Sequence, residues 1–177
     1  MHAVVTPEEL RAAIRNVPDF PQPGIQFKDI TPLLAEARLL SGCISQLAGT
    51  HERGSIDVVA GIDARGFLFS SAVAVQLGAG LVPVRKKGKL PYRTLEESYS
   101  LEYGQNTLSI HVDAIRPGQR VLLVDDVLAT GGTAAATIAL IKRLGGILVE
   151  VAFVIELGFL NGRSRLPGAA VRSLVVY

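Results

Sequence analysis

Val121-Leu122-Leu123-Val124-Asp125-Asp126-Val127-Leu128-Ala129-Thr130-Gly131-Gly132-Thr133 is the stretch whose reading decides the fold. Its first four aliphatics have the pattern of a buried strand and run into two adjacent carboxylates. A short Ala-Thr-Gly-Gly-Thr loop then opens an alanine-rich helix. Such a corner predicts a site at the mouth of a sheet. The glycines let backbone N–H groups converge, and the Thr hydroxyls and the positive end of the helix add attraction for a phosphate monoester. Asp125 and Asp126 lie a few residues upstream, where acceptors take the hydroxyls of an attached sugar. The local chemistry therefore predicts a ribose 5-phosphate cradle.

The loop is not a P-loop, because no Gly-Lys-Ser/Thr follows a four-residue gap, and it lacks the three spaced glycines of the dinucleotide fingerprint. Gly131-Gly132-Thr133 alone also reads as a left-handed turn with a Thr N-cap. The two acids weigh against that reading. Asp is a poor strand residue, and its charge at a sheet end costs stability unless something binds there.

Working outward, 177 residues make one domain of ordinary size, 1–177, with ample material for a core. Hydrophobic residues make up 49% and aromatics 6%, with no Trp, so the core is expected to be mostly Val, Leu, Ile and Ala. That composition suits an α/β sheet covered by helices. A net charge of +2 excludes nucleic acid or a membrane surface as the main partner, yet leaves room for a local basic site. Cys43 is the single cysteine, so no intrachain disulfide can form and a reducing cytoplasm is the expected compartment. Its neighbours Leu39, Leu40 and Ile44 make it a core residue rather than a nucleophile. No secretory signal and no membrane span are expected.

Thr6-Pro7-Glu8-Glu9 is a capping box with Pro at the first helical position, predicting a helix from Pro7 to about Asn16. The prolines of Phe20-Pro21-Gln22-Pro23-Gly24 then enforce an extended arm leading into Ile25-Gln26-Phe27-Lys28-Asp29, with Phe27 as its anchor. A helix is predicted over Ala35 to Thr50 and a strand over Ile56 to Ala60. After Gly61-Ile62-Asp63-Ala64-Arg65-Gly66, a second strand–turn–helix corner continues from Phe67 to Leu77 with Gly78 as C-cap. Arg65 there carries the donor fork that suits a pyrophosphate, because a merely solvated cation at a helix N-terminus opposes the macrodipole. Leu81 to Val84 is the next strand. Arg85-Lys86-Lys87-Gly88-Lys89 places four cations in five residues, which composition alone leaves as a solvated run. The polar segment 92–106 reads as a flap, and His111, alternating with apolar neighbours on a strand, faces outward. The helix after Thr133 ends at about Leu144, and strands follow over Ile147 to Ile155 and Val171 to Val176.

Val121 to Thr133 resembles the phosphoribosyl-pyrophosphate motif that defines type I phosphoribosyltransferases. Four more strings in the expected order resemble the adenine phosphoribosyltransferases. They are Phe20 to Asp29, Gly61 to Gly66, Arg85 to Pro91 and Ser98-Tyr99-Ser100-Leu101-Glu102-Tyr103-Gly104. The resemblance implies a central, mainly parallel sheet flanked by helices, a small hood from about 18–34 and 156–177, and a flexible flap at about 90–106. The implied reaction joins adenine to phosphoribosyl pyrophosphate, giving AMP and pyrophosphate, with Mg2+ held mainly through the substrate, in a homodimer.

The same resemblance distributes the roles. Ala129, Thr130, Gly131, Gly132 and Thr133 would grip the 5′-phosphate, and Asp125 and Asp126 the ribose hydroxyls. Asp63, Ala64, Arg65 and Lys89 would meet pyrophosphate, with a cis bond expected near Asp63-Ala64, and Arg85 would reach a phosphate across the dimer interface. Phe27 would stack on the base, Gln26 and Lys28 would read its edge through the backbone, Leu157 would close its second face, and Glu102 would handle the purine proton. Gln26 stands where an apolar residue is common and Lys28 where Arg is common, departures that matter little for backbone reading. A 6-oxopurine enzyme and a phosphoribosyl-pyrophosphate-sensing regulator are the alternatives. The chain has no room for an appended DNA-binding domain.

Overall fold

The structure is a computed structural model and describes residues 5–100 and 105–177. Helix α1 (Pro7–Ala13) begins with the expected capping box: Thr6 Oγ1 accepts from the Glu9 amide at 3.2 Å, and Glu9 Oε2 accepts from the Thr6 amide at 2.8 Å. It stops short of Asn16 because Arg15–Pro18 (β1) leaves to pair antiparallel with Gln26–Asp29 (β2), Pro18 favouring an extended Val17. The next helix is broken in two, α2 (Thr31–Ala35) and α3 (Ala37–Ala48). Glu36 makes the break, its carboxylate accepting from the amides of Arg38 at 3.2 Å and Leu39 at 2.7 Å as the cap of α3.

The remainder alternates: β3 (Val58–Ile62), α4 (Gly66–Leu77), β4 (Gly80–Lys86), β5 (Thr94–Ser100), β6 (Gln105–His111), β7 (Arg120–Leu128), α5 (Gly132–Arg143), β8 (Ile147–Glu156) and β9 (Val171–Val176). One seven-stranded sheet results, ordered β5-β6-β4-β3-β7-β8-β9. Strands β4, β3, β7, β8 and β9 are parallel, while β5 and β6 join antiparallel at one edge. Val59, Leu122, Val124 and Val154 pack with Leu47, Phe69 and Val73 under α3 and α4. Val58, Ala60, Val121 and Leu123 pack with Leu140 and Ile141 of α5 on the opposite face. Covering both faces is what a continuous aliphatic strand requires. Cys43 lies wholly inside the first layer, and burial pushes its thiol up to about 12.

Segment 92–106, read as a flap, is in large part regular. Strand β5 runs through Thr94 to Ser100 and pairs with β6 from Thr94↔His111 to Ser100↔Gln105. Its polar composition suits an edge strand, and α5 holds it through Arg143, whose Nη1 donates to the Glu96 carbonyl at 2.7 Å and to Glu97 Oε2 at 3.0 Å. His111 is half-buried and accepts from the Tyr92 amide at 3.4 Å rather than standing free in solvent. Among the described residues, no helix is long and apolar enough to cross a membrane.

From β3 the chain crosses to β4 on one side, and from β7 to β8 on the other, so a crevice opens between the carboxyl ends of β3 and β7. Asp57 ties the opposite ends of these strands together. Its carboxylate accepts from the Arg120 amide at 2.7 Å, from Nε at 3.0 Å and from Nη2 at 2.9 Å. These donors hold it down at about 2. A carboxylate lowered by folding contributes stability above its unfolded range of about 4 and loses it as pH falls toward the folded value. Asp57→Asn should therefore lower Tm at pH 7, and thermal melts across pH should show the difference from the parent closing toward pH 2.

Candidate active site

The crevice is a cavity of about 400 Å³. Asp63, Ala64 and Arg65 enter from the end of β3, Asp125 and Asp126 from β7, Ala129, Thr130 and Gly131 from the loop before α5, and Thr133 from its first turn. Strand β7 runs on through both aspartates to Leu128, so the carboxylates sit within the strand rather than after it. They are 8% and 6% exposed. Arg65 Nε donates to Asp126 Oδ2, and the Asp126 amide donates to Asp125 Oδ1 at 2.9 Å. Burial, and next the adjacent Asp126 charge, raise the Asp125 carboxyl well above the ordinary Asp range.

The N-cap of helix α5 is Gly131, which has φ +81° and brings no side-chain cap to the first turn. Thr133 does not cap the helix, since its hydroxyl donates to the Tyr99 hydroxyl at 3.2 Å. A helix start left uncapped by its own side chains presents N–H groups and the positive macrodipole end to the cavity. The loop is held tightly from behind by a 3-10 turn, Gly162–Arg165: a Cβ on Gly131 would stand 2.4 Å from the Gly162 carbonyl oxygen.

The Asp63–Ala64 peptide bond is cis, where the sequence motif led one to expect it. Asp63 also accepts from Arg85 Nε at 3.0 Å, and Arg85 Nη1 donates to the Lys89 carbonyl at 3.0 Å. Among the described lining residues are neither Arg85 nor Lys89 but Lys86, the cation beside them. Lys86 lies opposite Leu108, and Tyr99 opposite Asn106, across the β4–β6 and β5–β6 pairings, and all four line the cavity. Residue type alone does not mark these four: Tyr99 lies on β5, whose polar composition hides a strand, Lys86 ends β4 among other cations, and it is the alternation along β6 that puts Asn106 and Leu108 on one face.

Phe27 is not among the residues lining the cavity; Arg65, which is, holds its guanidinium 5.3 Å from the Phe27 ring centre, and Phe20 stands edge-on to that ring at 5.1 Å. Gln26 is exposed, Lys28 is partly buried, and Leu157 packs half-buried against the core beyond β8. Gly132 is buried behind the loop, where a Cβ would lie 2.9 Å from the Tyr99 ring. Glu102 lies outside the described residues. Among those described, no group of three or more His, Cys, Asp or Glu gathers as a metal-binding cluster.

A mainly parallel sheet with an uncapped, glycine-opened helix beside two buried carboxylates defines the class, and a domain model described as phosphoribosyl transferase domain matches residues 26–167. The chain is 58% identical over 168 residues to the adenine phosphoribosyltransferase of Acidothermus cellulolyticus, covering 95% of each chain. The solved adenine phosphoribosyltransferase from Rhodothermus marinus superposes with a TM-score of 0.92 at 55% identity, covering 97% of this chain and 98% of that one. The Saccharomyces cerevisiae enzyme, solved with an imino-altritol bisphosphate and adenine, superposes with a TM-score of 0.88 at 41% identity, covering 95% and 97%. The chain belongs to the adenine phosphoribosyltransferase family.

Two outcomes follow from this geometry. Gly131→Ala combines a left-handed backbone with a blocked Cβ position, so urea denaturation should show a loss of about 1–3 kcal/mol. Asp125→Asn should act oppositely on stability. A carboxyl raised by folding contributes stability below its unfolded range and loses it as pH rises through the folded value, a loss that an amide does not suffer. The Tm of Asp125→Asn relative to the parent should rise between pH 4 and pH 8.

Proposed function

We propose that the protein transfers the 5-phosphoribosyl group from phosphoribosyl pyrophosphate to adenine, releasing pyrophosphate and AMP in purine salvage. The observation that carries this reading is the corner from Asp125 to Thr133: two buried carboxylates beside a helix start without a side-chain cap, in a chain 58% identical to a named adenine phosphoribosyltransferase. The amides and hydroxyls of Ala129 to Thr133 take the 5′-phosphate. Asp125 and Asp126 accept from the ribose hydroxyls, and a raised Asp125 suits a group that meets its hydrogen-bond partners in the ligand.

In the transfer, a nitrogen of adenine bonds to the anomeric carbon as the bond to the pyrophosphate oxygen breaks, and the leaving group keeps the electron pair. Positive charge develops on the ribose, as in glycoside chemistry. Arg65, the Asp63–Ala64 segment and Lys89 stabilise the departing charge, and Lys86 adds a cation from the cavity wall. Arg85 orders Asp63 within its own chain and carries the proposed reach to a phosphate across a homodimer interface. Phe27 stacks on the base, an arrangement worth roughly 1–3 kcal/mol. Gln26 and Lys28 read its edge through their backbone, Leu157 faces its other side, and Glu102 handles the purine proton.

Asp125 and Asp126 are hard oxygen donors suited to Mg2+, and the ion would rest mainly on substrate oxygens. When bound, it neutralises charge on pyrophosphate. The single buried Cys43 agrees with action in a reducing cytoplasm.

Initial rates of AMP formation, measured with Mg2+ and phosphoribosyl pyrophosphate against adenine, hypoxanthine, guanine and xanthine in parallel, test the reading. Turnover with adenine well above the others is expected, and none with adenine would overturn it. In the same assay, Asp125→Asn should lower kcat/KM for phosphoribosyl pyrophosphate about tenfold to a hundredfold, the loss of one charged hydrogen bond of roughly 1.5–3 kcal/mol.

A further inference from the structure

The β1–β2 ribbon carries Phe27 but belongs to no larger sheet. A two-stranded ribbon by itself is marginal in water, so its position must come from contacts with the body. One such contact lies far along the chain. The Tyr177 ring is flanked by two cations, Lys28 Nζ at 4.0 Å from its centre and Arg11 Cζ at 4.5 Å.

Tyr177 is itself firmly placed. Its amide donates to the Glu156 carbonyl at 2.9 Å, and its carbonyl accepts from the Gly158 amide at 2.9 Å, so its backbone brackets Leu157. Arg11 adds a donor to the Val176 carbonyl at 2.5 Å. On the ribbon side, Lys28 Nζ also donates to Asn16 Oδ1 at 3.2 Å, and Asn16 Nδ2 donates to Gln26 Oε1 at 2.7 Å. A continuous chain of contacts thus runs from the end of β8 through Tyr177 and Lys28 to both chain neighbours of Phe27.

We infer that Tyr177 is a positioning residue for the purine-reading arm, acting through Lys28 and without touching the substrate. The inference rests on the reading of Phe27 as the base platform. An aromatic face attracts a cation through its quadrupole, which needs the ring and not the hydroxyl. The phosphate loop and the carboxylates of β7 lie on other elements, and Arg65, which bonds Asp126 and stands 5.3 Å from the Phe27 ring centre, is the link between the ribbon and the donor half.

Tyr177→Leu and Tyr177→Phe decide it, compared with the parent in steady-state AMP formation and in amide hydrogen exchange of residues 15–29. Tyr177→Leu should raise the KM for adenine about fivefold, with the KM for phosphoribosyl pyrophosphate changed far less, and should speed exchange in the ribbon. Tyr177→Phe should restore both. An unchanged adenine KM in Tyr177→Leu, an equal rise in both KM values, or a Tyr177→Phe that behaves like Tyr177→Leu would overturn the inference. If the parent itself fails to use adenine, the proposed function falls, and exchange alone still decides the tether: faster ribbon exchange in Tyr177→Leu supports it and parent-like exchange refutes it.

Discussion

Two carboxylates buried side by side near the end of the inner strand β7 are the constraint to which the surrounding structure answers. Like charges at this spacing and depth oppose one another and lose their hydration. Arg65 offsets the cost at Asp126 by a direct contact, and one backbone amide serves Asp125. The compensation is incomplete, which is why the Asp125 carboxyl is raised. A site that tolerates such a residue gains acceptors already fixed in the cavity wall, without the reorganisation that water would need.

The same corner needs close backbone packing. The turn Gly162–Arg165 lies against the loop from Ala129 to Gly131, and a Cβ on Gly162 would come within 2.2 Å of the Ala129 carbonyl oxygen. Contact at that range holds the first amides of α5 from behind while their donors remain open in front. The Tyr99 ring closes the side of the loop next to Gly132. Elements far apart in sequence therefore meet where the crossovers from β3 and β7 diverge, the one place in an open parallel sheet where a crevice forms without breaking the ladder.

Most of this arrangement can be read from residue types. The aliphatic run of β7, the Gly131 corner and the capping box of Thr6 and Glu9 are local signals, and each appears where its chemistry predicts. What could not be read depends on partners supplied by the fold. Strand β5 is too polar to announce itself, and its pairing with β6 and the hold of Arg143 help make it a strand. Lys86 is indistinguishable from its basic neighbours until cross-strand register points it at the cavity. The break at Glu36 turns on a carboxylate folding back on two amides, a choice that helix propensity does not express.

The central claim is that one nucleotide-shaped site joins the phosphate loop, the carboxylates of β7 and the Phe27 arm. Titration of AMP into 15N-labelled protein, followed by amide chemical shifts, tests it most directly. The account predicts saturable shifts confined to residues 129–133, 125–126 and 26–28, all with one dissociation constant. Shifts that leave the 129–133 amides unmoved, or that follow different constants in the loop and the arm, would contradict it.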